Sequence, residues 1–484
     1  MSLSSALSIA QSSLLATSRQ TTVVSRNVAD ASNPDYTRRI ASIVSTAPGA
    51  RSVDIQRVTN EALFRQNLSA LSAWAGQHAL YGGLDELKLA VNGVENASSA
   101  STAIGALQQA LQLYATTPSN RNLANSVIDA ARRVVRSLND GSKAIQNFRV
   151  RTDSQIATAV GELNALLGKF QEVNIAIVSG SQSGNDVSDA LDQRDALLKK
   201  ISEYVPISTF TRGANDMVIT TADGTTLFET IPRTVSFTPN ISYAAGMAGN
   251  AIYIDNVPLA AGTGGDTTAG GMLAGLLQLR DGVASTMQSQ LDEIARGLID
   301  AFAETSPTLP AAAGLFTWSG APGIPPAGTL VHGLAGQISL HAAMDPDAGG
   351  DPTLLRDGGA NGAGYVANVG GGASFAELLI AYGDRLDQPT TFDPQAGITG
   401  SFGVAAYANN TIGWFEGVRQ QAASAVEAKE ALAMRTAEAL SNATGVNVDQ
   451  ELSLLLDLEH TYQASARILN SVNQMLDALM AAVR

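Results

Sequence analysis

The chain has 484 residues, of which 45% are hydrophobic and 15% charged, so it can fold into more than one domain with a buried core. The net charge of −14 opposes binding to nucleic acid and to anionic lipid, and we expect neither as a partner. The absence of cysteine excludes disulfides, thiol catalysis and thiolate metal sites. Because the first residues carry no positive charge and no apolar run reaches about 18 residues, we expect no cleavable signal peptide and no membrane span.

Both ends of the chain carry apolar residues that recur every three or four positions, which predicts helices with a coiled-coil seam. The main seam residues near the start are Leu3, Leu7, Leu14, Val24 and Val28. Those near the end are Leu455, Leu458, Tyr462, Leu469, Val472, Leu476 and Leu479. Chain ends usually fray, so seams at both ends favour helices that pair with each other, with copies of themselves, or both. The alternative is two ordinary amphipathic helices packed on a globular body.

The first helix is predicted to end at Asn33-Pro34, because proline disfavours the helical conformation of the preceding residue. The segment 25–39 resembles the N-terminal signature of bacterial flagellar axial proteins. The matching residues are Asn27, Val28, Ala29, Asn33, Pro34, Tyr36, Thr37 and Arg38. Asp35 departs from the signature, which usually has glycine there. We therefore expect the turn to survive with less tolerance for a left-handed backbone.

Residues 40–58 alternate loosely and predict an extended connection, whereas residues 60–205 carry helical apolar stripes. One long helix is predicted from about 142 to 178. After a polar loop comes the run Leu191, Asp192, Gln193, Arg194 and Asp195. This run resembles a motif of the flagellar hook-associated protein 1 family that rod and hook proteins lack. Asp192 and Arg194 lie two positions apart and cannot pair on one helix face, so we expect them to point toward other helices.

At Pro206 the apolar period changes to two, which predicts strands, and Asp223-Gly224 is expected to form a hairpin turn. A glycine-rich link then leads into a helix over 272–303, which also resembles the same family. Residues 304–404 hold 9 of the 16 prolines and 19 of the 45 glycines, which predicts an irregular, β-leaning outer insertion.

The C-terminal part returns to helix from Tyr407 to about Asn442, and Thr444-Gly445 breaks it. Asn447 followed by Gln450 predicts the capped start of a last helix. Residues 445–452 and 462–468 resemble the C-terminal signature of the flagellar axial proteins. With matches at the start, the centre and the end in the expected order, the whole chain resembles the hook-associated protein 1 family.

The resemblance implies a mainly α fold with inserted β domains, in which the terminal helices form a coiled coil and an elongated helical bundle carries one or two β-rich outer domains. The implied domains are paired terminal helices (1–45 and 445–484), a helical bundle (46–205, 272–303 and 405–444), a small β domain (206–271) and the outer insertion (304–404).

The same resemblance implies a structural component of the flagellum at the junction between hook and filament. Its implied partners are copies of itself in a ring, the hook protein on one side, and a second junction protein and the filament on the other. It implies export as an unfolded chain through the flagellar type III apparatus, with a cytosolic chaperone covering the C-terminal helix. No cofactor, metal or catalytic residue is implied.

Three alternatives stay open at this stage: a hook or rod protein of the same superfamily, a secreted adhesin, and an enzyme. The enzyme alternative has little support, because the four histidines are scattered and no nucleophile motif is present. His332 and His341 lie nine positions apart in an irregular segment without an evident third metal ligand.

Overall fold

The computed structural model describes residues 3–46 and 50–482. Within them the helices are α1 Leu3–Ala29, α2 Glu61–Asn92, α3 Ala100–Thr116, α4 Arg121–Gln182, α5 Ser188–Tyr204, α6 Met272–Leu277, α7 Ala284–Ala301, α8 Leu334–Gln337, α9 Leu354–Asp357, α10 Glu377–Asp387, α11 Val404–Thr444 and α12 Val448–Ala482. The strands are β1 Arg39–Thr46, β2 Ala50–Arg57, β3 Ile207–Thr211, β4 Met217–Thr221, β5 Thr226–Phe228, β6 Val235–Ser236, β7 Tyr253–Ile254, β8 Val257–Pro258, β9 Phe316–Thr317, β10 Ser339–Leu340, β11 Thr390–Thr391 and β12 Ser401–Phe402.

The chain divides into two compact units, each built from segments that are distant in sequence. Unit 1 comprises the described parts of 1–74, 162–235 and 428–484, and unit 2 comprises 75–161 and 236–427. The predicted division into four domains stays a prediction.

Unit 1 contains the terminal helices α1 and α12, the hairpin β1–β2 and the antiparallel sheet β3-β4-β5. The sheet packs against the C-terminal part of α4, where Phe170 and Phe228 meet edge to face with ring centroids 4.9 Å apart. Asn174, on the same helix, donates to Asp216 and accepts from the backbone of Met217, which fixes the start of β4 against the helix.

Unit 2 has a helical core around α3, α7 and α10, with the irregular segments of the 304–404 region attached to it. Phe302 at the end of α7 packs against Phe316 and Tyr382, with ring centroids 5.2 Å and 5.0 Å away. The irregular segments are fixed by buried polar groups as well. Glu304, for example, accepts hydrogen bonds from the backbone of Ala360 and Asn361.

A π-helical segment, Gln278–Val283, joins α6 to α7, so residues 272–301 form one helical stretch with a bulge. At its start α6 lies directly on α2: a Cβ added to Gly275 would be 2.4 Å from the carbonyl oxygen of Gly76. Only glycine allows this approach, and it accounts for the glycine within this part of the family resemblance.

The mainly α class with inserted β segments, expected from the sequence, is confirmed. The predicted end of the first helix at Asn33-Pro34 is wrong, because α1 ends at Ala29 and successive turns follow, closed by hydrogen bonds from Asn33 N to Asp30 O and from Tyr36 N to Asn33 O. The extended connection over 40–58 is a hairpin. The long helix begins about twenty residues earlier than predicted and spans 62 residues.

Among the described residues, the helices lack a stretch that is both long enough and apolar enough to cross a bilayer.

Candidate assembly site

The two terminal helices, α1 and α12, run antiparallel along each other, and we call them the terminal helix pair. Ser13 contacts Ser465 and Asn27 contacts Glu451, so residue numbers rise along one helix as they fall along the other. The buried positions of α12 repeat every seven residues: Glu451, Leu458, Ser465 and Val472. A seven-residue repeat of buried positions is the packing pattern of a coiled coil.

The predicted seam residues occupy different positions in this pair. Val24, Leu458 and Val472 are buried, and Leu7, Leu14, Val28, Leu455, Leu469 and Leu476 are half-buried. Tyr462 and Leu479 remain 49% and 54% exposed. The side chain of Leu3 lies outside the described part of the chain. Buried small or polar residues complete the α1 side of the contact: Ala10 and Thr17 follow the spacing of the predicted seam, whereas Ser13, Ala16 and Asn27 do not.

A second apolar row on α12 is left uncovered. Leu454, Ile468 and Met475 lie two heptads and one heptad apart, with Thr461 at the position between the first two, and are 40%, 55% and 58% exposed; we call these three residues the exposed stripe. Apolar side chains repeated on one face of a helix mark a surface suited to another helix. Within one chain, α12 therefore uses one face to bind α1 and presents a second face to solvent.

The N-terminal signature residues lie where α1, α11 and α12 meet. The backbone N–H of Arg38 donates to Thr444 O, at the last residue of α11, over 2.8 Å. Its guanidinium binds Glu451 in the first turn of α12, with Nε 2.7 Å from Oε1. Asn33 and Pro34 lie at the surface in the turns after α1. Asp35 lies outside the left-handed backbone region and pairs with Lys199 at 2.9 Å, so the departure from the signature is accommodated.

Asn27 is the most connected residue of the signature. Its side-chain oxygen accepts from the Tyr36 hydroxyl at 2.8 Å and from the backbone N of Arg39 at 3.1 Å. Its amide nitrogen donates to Glu451 Oε2 at 2.9 Å and to the carbonyl of Arg39. Both Asn27 and Glu451 are fully buried. A buried carboxylate needs such partners, because removing it from water without them costs several kcal/mol.

The central family motif contributes a second polar network, which we call the charge cluster: Arg26, Arg39, Arg57, Asp189, Asp192 and Asp195. Asp192 lies between two arginines, 3.0 Å from Nη2 of Arg39 and 2.7 Å from Nη2 of Arg57. Arg57 also reaches Asp195 at 2.7 Å. The cluster joins α5 to the hairpin β1–β2 and to the end of α1.

The two motif residues expected to face other helices behave differently. Asp192 pairs with arginines of the hairpin rather than with another helix, so the expectation is wrong for this residue. The reason is that α5 packs across the base of the hairpin, where Arg39 and Arg57 are paired by strand register. Arg194 is buried and donates to the backbone carbonyl of Asn215 at 2.6 Å, which ties α5 to the sheet β3-β4-β5. Within the same motif, Gln193 and Leu191 are exposed or half-buried.

The electrostatics of this region follow from burial and pairing. Burial alone would raise the pKa of Asp189, but hydrogen bonds from Arg39 and Arg26 outweigh it and hold the pKa below its usual value. Burial raises the pKa of Tyr36, whose ring lies 4.8 Å from the guanidinium carbon of Arg39. Burial lowers the pKa of Arg194. Near neutral pH the Asp189 carboxylate is therefore ionised, as expected of a structural ion pair, and the Tyr36 hydroxyl is neutral.

Sequence reasoning missed Glu451, Arg39 and Arg57. Glu451 lies one heptad before Leu458, so an acidic residue on an otherwise apolar seam was a visible signal. The arginines gave no comparable signal, since their pairing depends on a hairpin that the sequence did not predict. Among the described residues, no group of three or more histidines and acids is placed to hold a metal ion.

Comparison with known proteins shows which families this chain resembles. Residues 90–307 match the family described as the flagellar hook-associated protein FlgK helical domain, and residues 439–482 match the C-terminal family of flagellar basal body rod FlgEFG proteins. Flagellar hook-associated protein 1 of Bacillus subtilis (strain 168) is 21% identical over 521 aligned positions, covering 98% of this chain and 97% of that protein. Together these matches support a FlgK-type flagellar hook-associated protein.

The FlgK-type fold is also found among solved structures. The flagellar hook junction protein FlgK from Burkholderia pseudomallei superimposes with a TM-score of 0.57 at 14% identity, covering 78% of this chain and 99% of that one. The sequence comparisons thus support a structural protein of the bacterial flagellum. The central motif and both terminal signatures meet in unit 1, where they are one connected set of contacts.

Proposed function

We propose that this chain forms the junction between the hook and the filament of the bacterial flagellum. The observation that carries the proposal is the exposed stripe on α12. The opposite requirement is already met within the chain, because α12 buries a different face against α1. Its role is mechanical rather than enzymatic: it links subunits by packing helices.

In this proposal, neighbouring axial subunits cover Leu454, Ile468 and Met475, together with the predicted residues Tyr462 and Leu479 that remain exposed. Burying each large apolar side chain contributes roughly 1.5–3 kcal/mol. Several such side chains per subunit, repeated around a ring, offset the cost of ordering the helices in the assembly. The partners are copies of this chain, the hook protein, and a second junction protein with the filament.

Before assembly the exposed stripe is an aggregation hazard, which supports a cytosolic chaperone that covers α12 until export. The export route in this proposal is the flagellar type III apparatus.

The first experiment is deletion of the gene, followed by electron microscopy of the cells and analysis of the culture medium. Complete hooks without filaments, with monomeric flagellin in the medium, are expected. Normal filaments would overturn the junction role in favour of an adhesin, and loss of the hook would place the chain in the hook or rod branch.

Complementation then tests the exposed stripe. The double substitution Ile468→Asp and Met475→Asp is expected to abolish filament attachment, because the added carboxylates cannot be buried between helices. Ile380→Asp is the matched control, since Ile380 is 53% exposed on α10, and it is expected to restore filaments. Normal attachment by the double variant would contradict the proposed packing.

A further inference from the structure

The contact between α1 and α12 contains two polar layers within an otherwise apolar or small-residue seam. The hydroxyls of Ser13 and Ser465 are 3.2 Å apart and buried. The second layer is the buried contact between Asn27 and Glu451. Ser13 and Asn27 are two heptads apart on α1, and Glu451 and Ser465 are two heptads apart on α12. The two layers therefore specify the same alignment of the helices.

The apolar residues alone do not specify that alignment. Buried positions on α12 repeat every seven residues, so sliding the helix by one heptad would still place apolar side chains on the seam. The slipped arrangements differ from the observed one because they separate the residues of the polar layers from their present partners.

A slip by one heptad in one direction places Ser13 against Val472 and Asn27 against Leu458. A slip in the other direction places Ser13 against Leu458 and moves Glu451 along α1 to the level of Gln20. Both slips take Glu451 away from Arg38 and Asn27, which now hold its two carboxylate oxygens at 2.7 and 2.9 Å. The first slip sets the buried amide of Asn27 against an apolar side chain, and both slips deprive the Glu451 carboxylate of its present donors, a loss that is costly for a buried charge.

We propose that the layers Ser13–Ser465 and Asn27–Glu451 select the register of the terminal helix pair, as distinct from supplying its stability. A single polar contact within a coiled-coil seam is known to fix alignment at some cost in stability. The inference goes beyond the junction role, because it concerns pairing inside one chain and holds or fails independently of filament attachment.

The chain contains no cysteine, so introduced cysteine pairs report register without background. Ser13→Cys with Ser465→Cys reports the observed register. Ser13→Cys with Val472→Cys, or with Leu458→Cys, reports the two slipped registers. Each pair is oxidised in the full chain, and intramolecular disulfide yield is measured by mass spectrometry and non-reducing gels.

With Asn27 and Glu451 intact, the observed-register pair is expected to form its disulfide with about tenfold preference over each slipped pair, a ratio that corresponds to 1.4 kcal/mol. In a background carrying Asn27→Leu and Glu451→Leu, that preference is expected to fall to within about twofold while helix content stays unchanged. Leu469→Ala is the matched control: it weakens the seam, leaves Asn27 and Glu451 in place, and is expected to keep the preference.

An unchanged preference in the double-leucine background would overturn the proposal. Loss of all three disulfides together with helix content would also overturn it, since the Asn27–Glu451 layer would then hold the helices together rather than choose their alignment.

Discussion

Glu293 in unit 2 and Glu451 in unit 1 are both completely buried, and they are held in opposite ways. Glu293 binds Arg296 three residues later in the same helix, with Nε 3.0 Å from both carboxylate oxygens. Glu451 binds residues that lie 413 and 424 positions earlier in the chain. The first pair is a local device inside a continuous helix, and the second fastens one end of the chain to the other.

The difference shows that buried charges have different structural roles in the two units. In unit 2 the buried charges secure irregular segments to the core: Arg296 donates to the carbonyl of Thr391, and Glu293 accepts from the backbone N of Asp393. In unit 1 the buried charge joins α12 to α1 and to Arg38, while another face of α12 stays exposed.

The largest expected effect comes from breaking the local pair. Arg296→Met leaves Glu293 buried without its cation and should destabilise unit 2 by about 3–5 kcal/mol. Chemical denaturation with a probe in unit 2 measures this. The matched control is Glu293→Leu with Arg296→Met, which removes both charges and should recover most of the loss. A double variant as unstable as the single one would show that the Thr391 and Asp393 contacts matter more than the pair.

The second prediction is that the stability of the two units depends on pH in opposite directions. Burial raises the pKa of Asp292 to about 6, although hydrogen bonds from Ala335, Gly333 and Gln288 oppose the rise. A raised carboxyl pKa means that the folded state binds a proton that the unfolded chain, near 3.8, releases. This stabilisation is complete below about pH 4 and is lost as pH rises through 6, with a total of about 3 kcal/mol.

Asp292→Asn should remove that pH dependence from unit 2, measured as melting temperature between pH 4 and 7. Asp189 in unit 1 has the opposite sign: its pKa is lowered, so its contribution is present above about pH 4 and is lost as pH falls further. A unit-2 transition with the same pH slope in the Asp292→Asn variant would rule out Asp292 as the source.

The smallest global effect is expected at Glu451. Glu451→Gln keeps an acceptor for Arg38 but turns an amide N–H toward the amide of Asn27, a mismatch of about 1–3 kcal/mol. The loss should be confined to α12 and appear as faster hydrogen exchange there, with little change in the unfolding of either unit. Glu459→Gln, at an exposed position on the same helix, is the control. Equal acceleration in both variants would mean that the mismatch with the amide of Asn27 does not destabilise α12.

Much of this fold follows from local pattern. The capped start at Asn447 and the hairpin turn at Asp223-Gly224 depend on neighbouring residues, and the sequence predicts both; of the predicted seam on α12, Leu458 and Val472 are buried. The sequence did not predict the contacts of Asp192 and Glu451, because their partners are distant in the chain and only the fold brings them close. The family motif was recognised, but its physical role as the acidic half of the charge cluster needed the structure.

The contact of Arg38 with the end of α11 and the binding of α12 to α1 also determine when α1 can be covered during synthesis. A chain made from its N-terminus onward presents α1 first, yet the residues that cover it are more than 400 positions downstream. Closing so large a loop is slow, and it cannot begin before α12 has been made. The N-terminal helix therefore stays without its partner helix while more than 400 residues that follow it are synthesised.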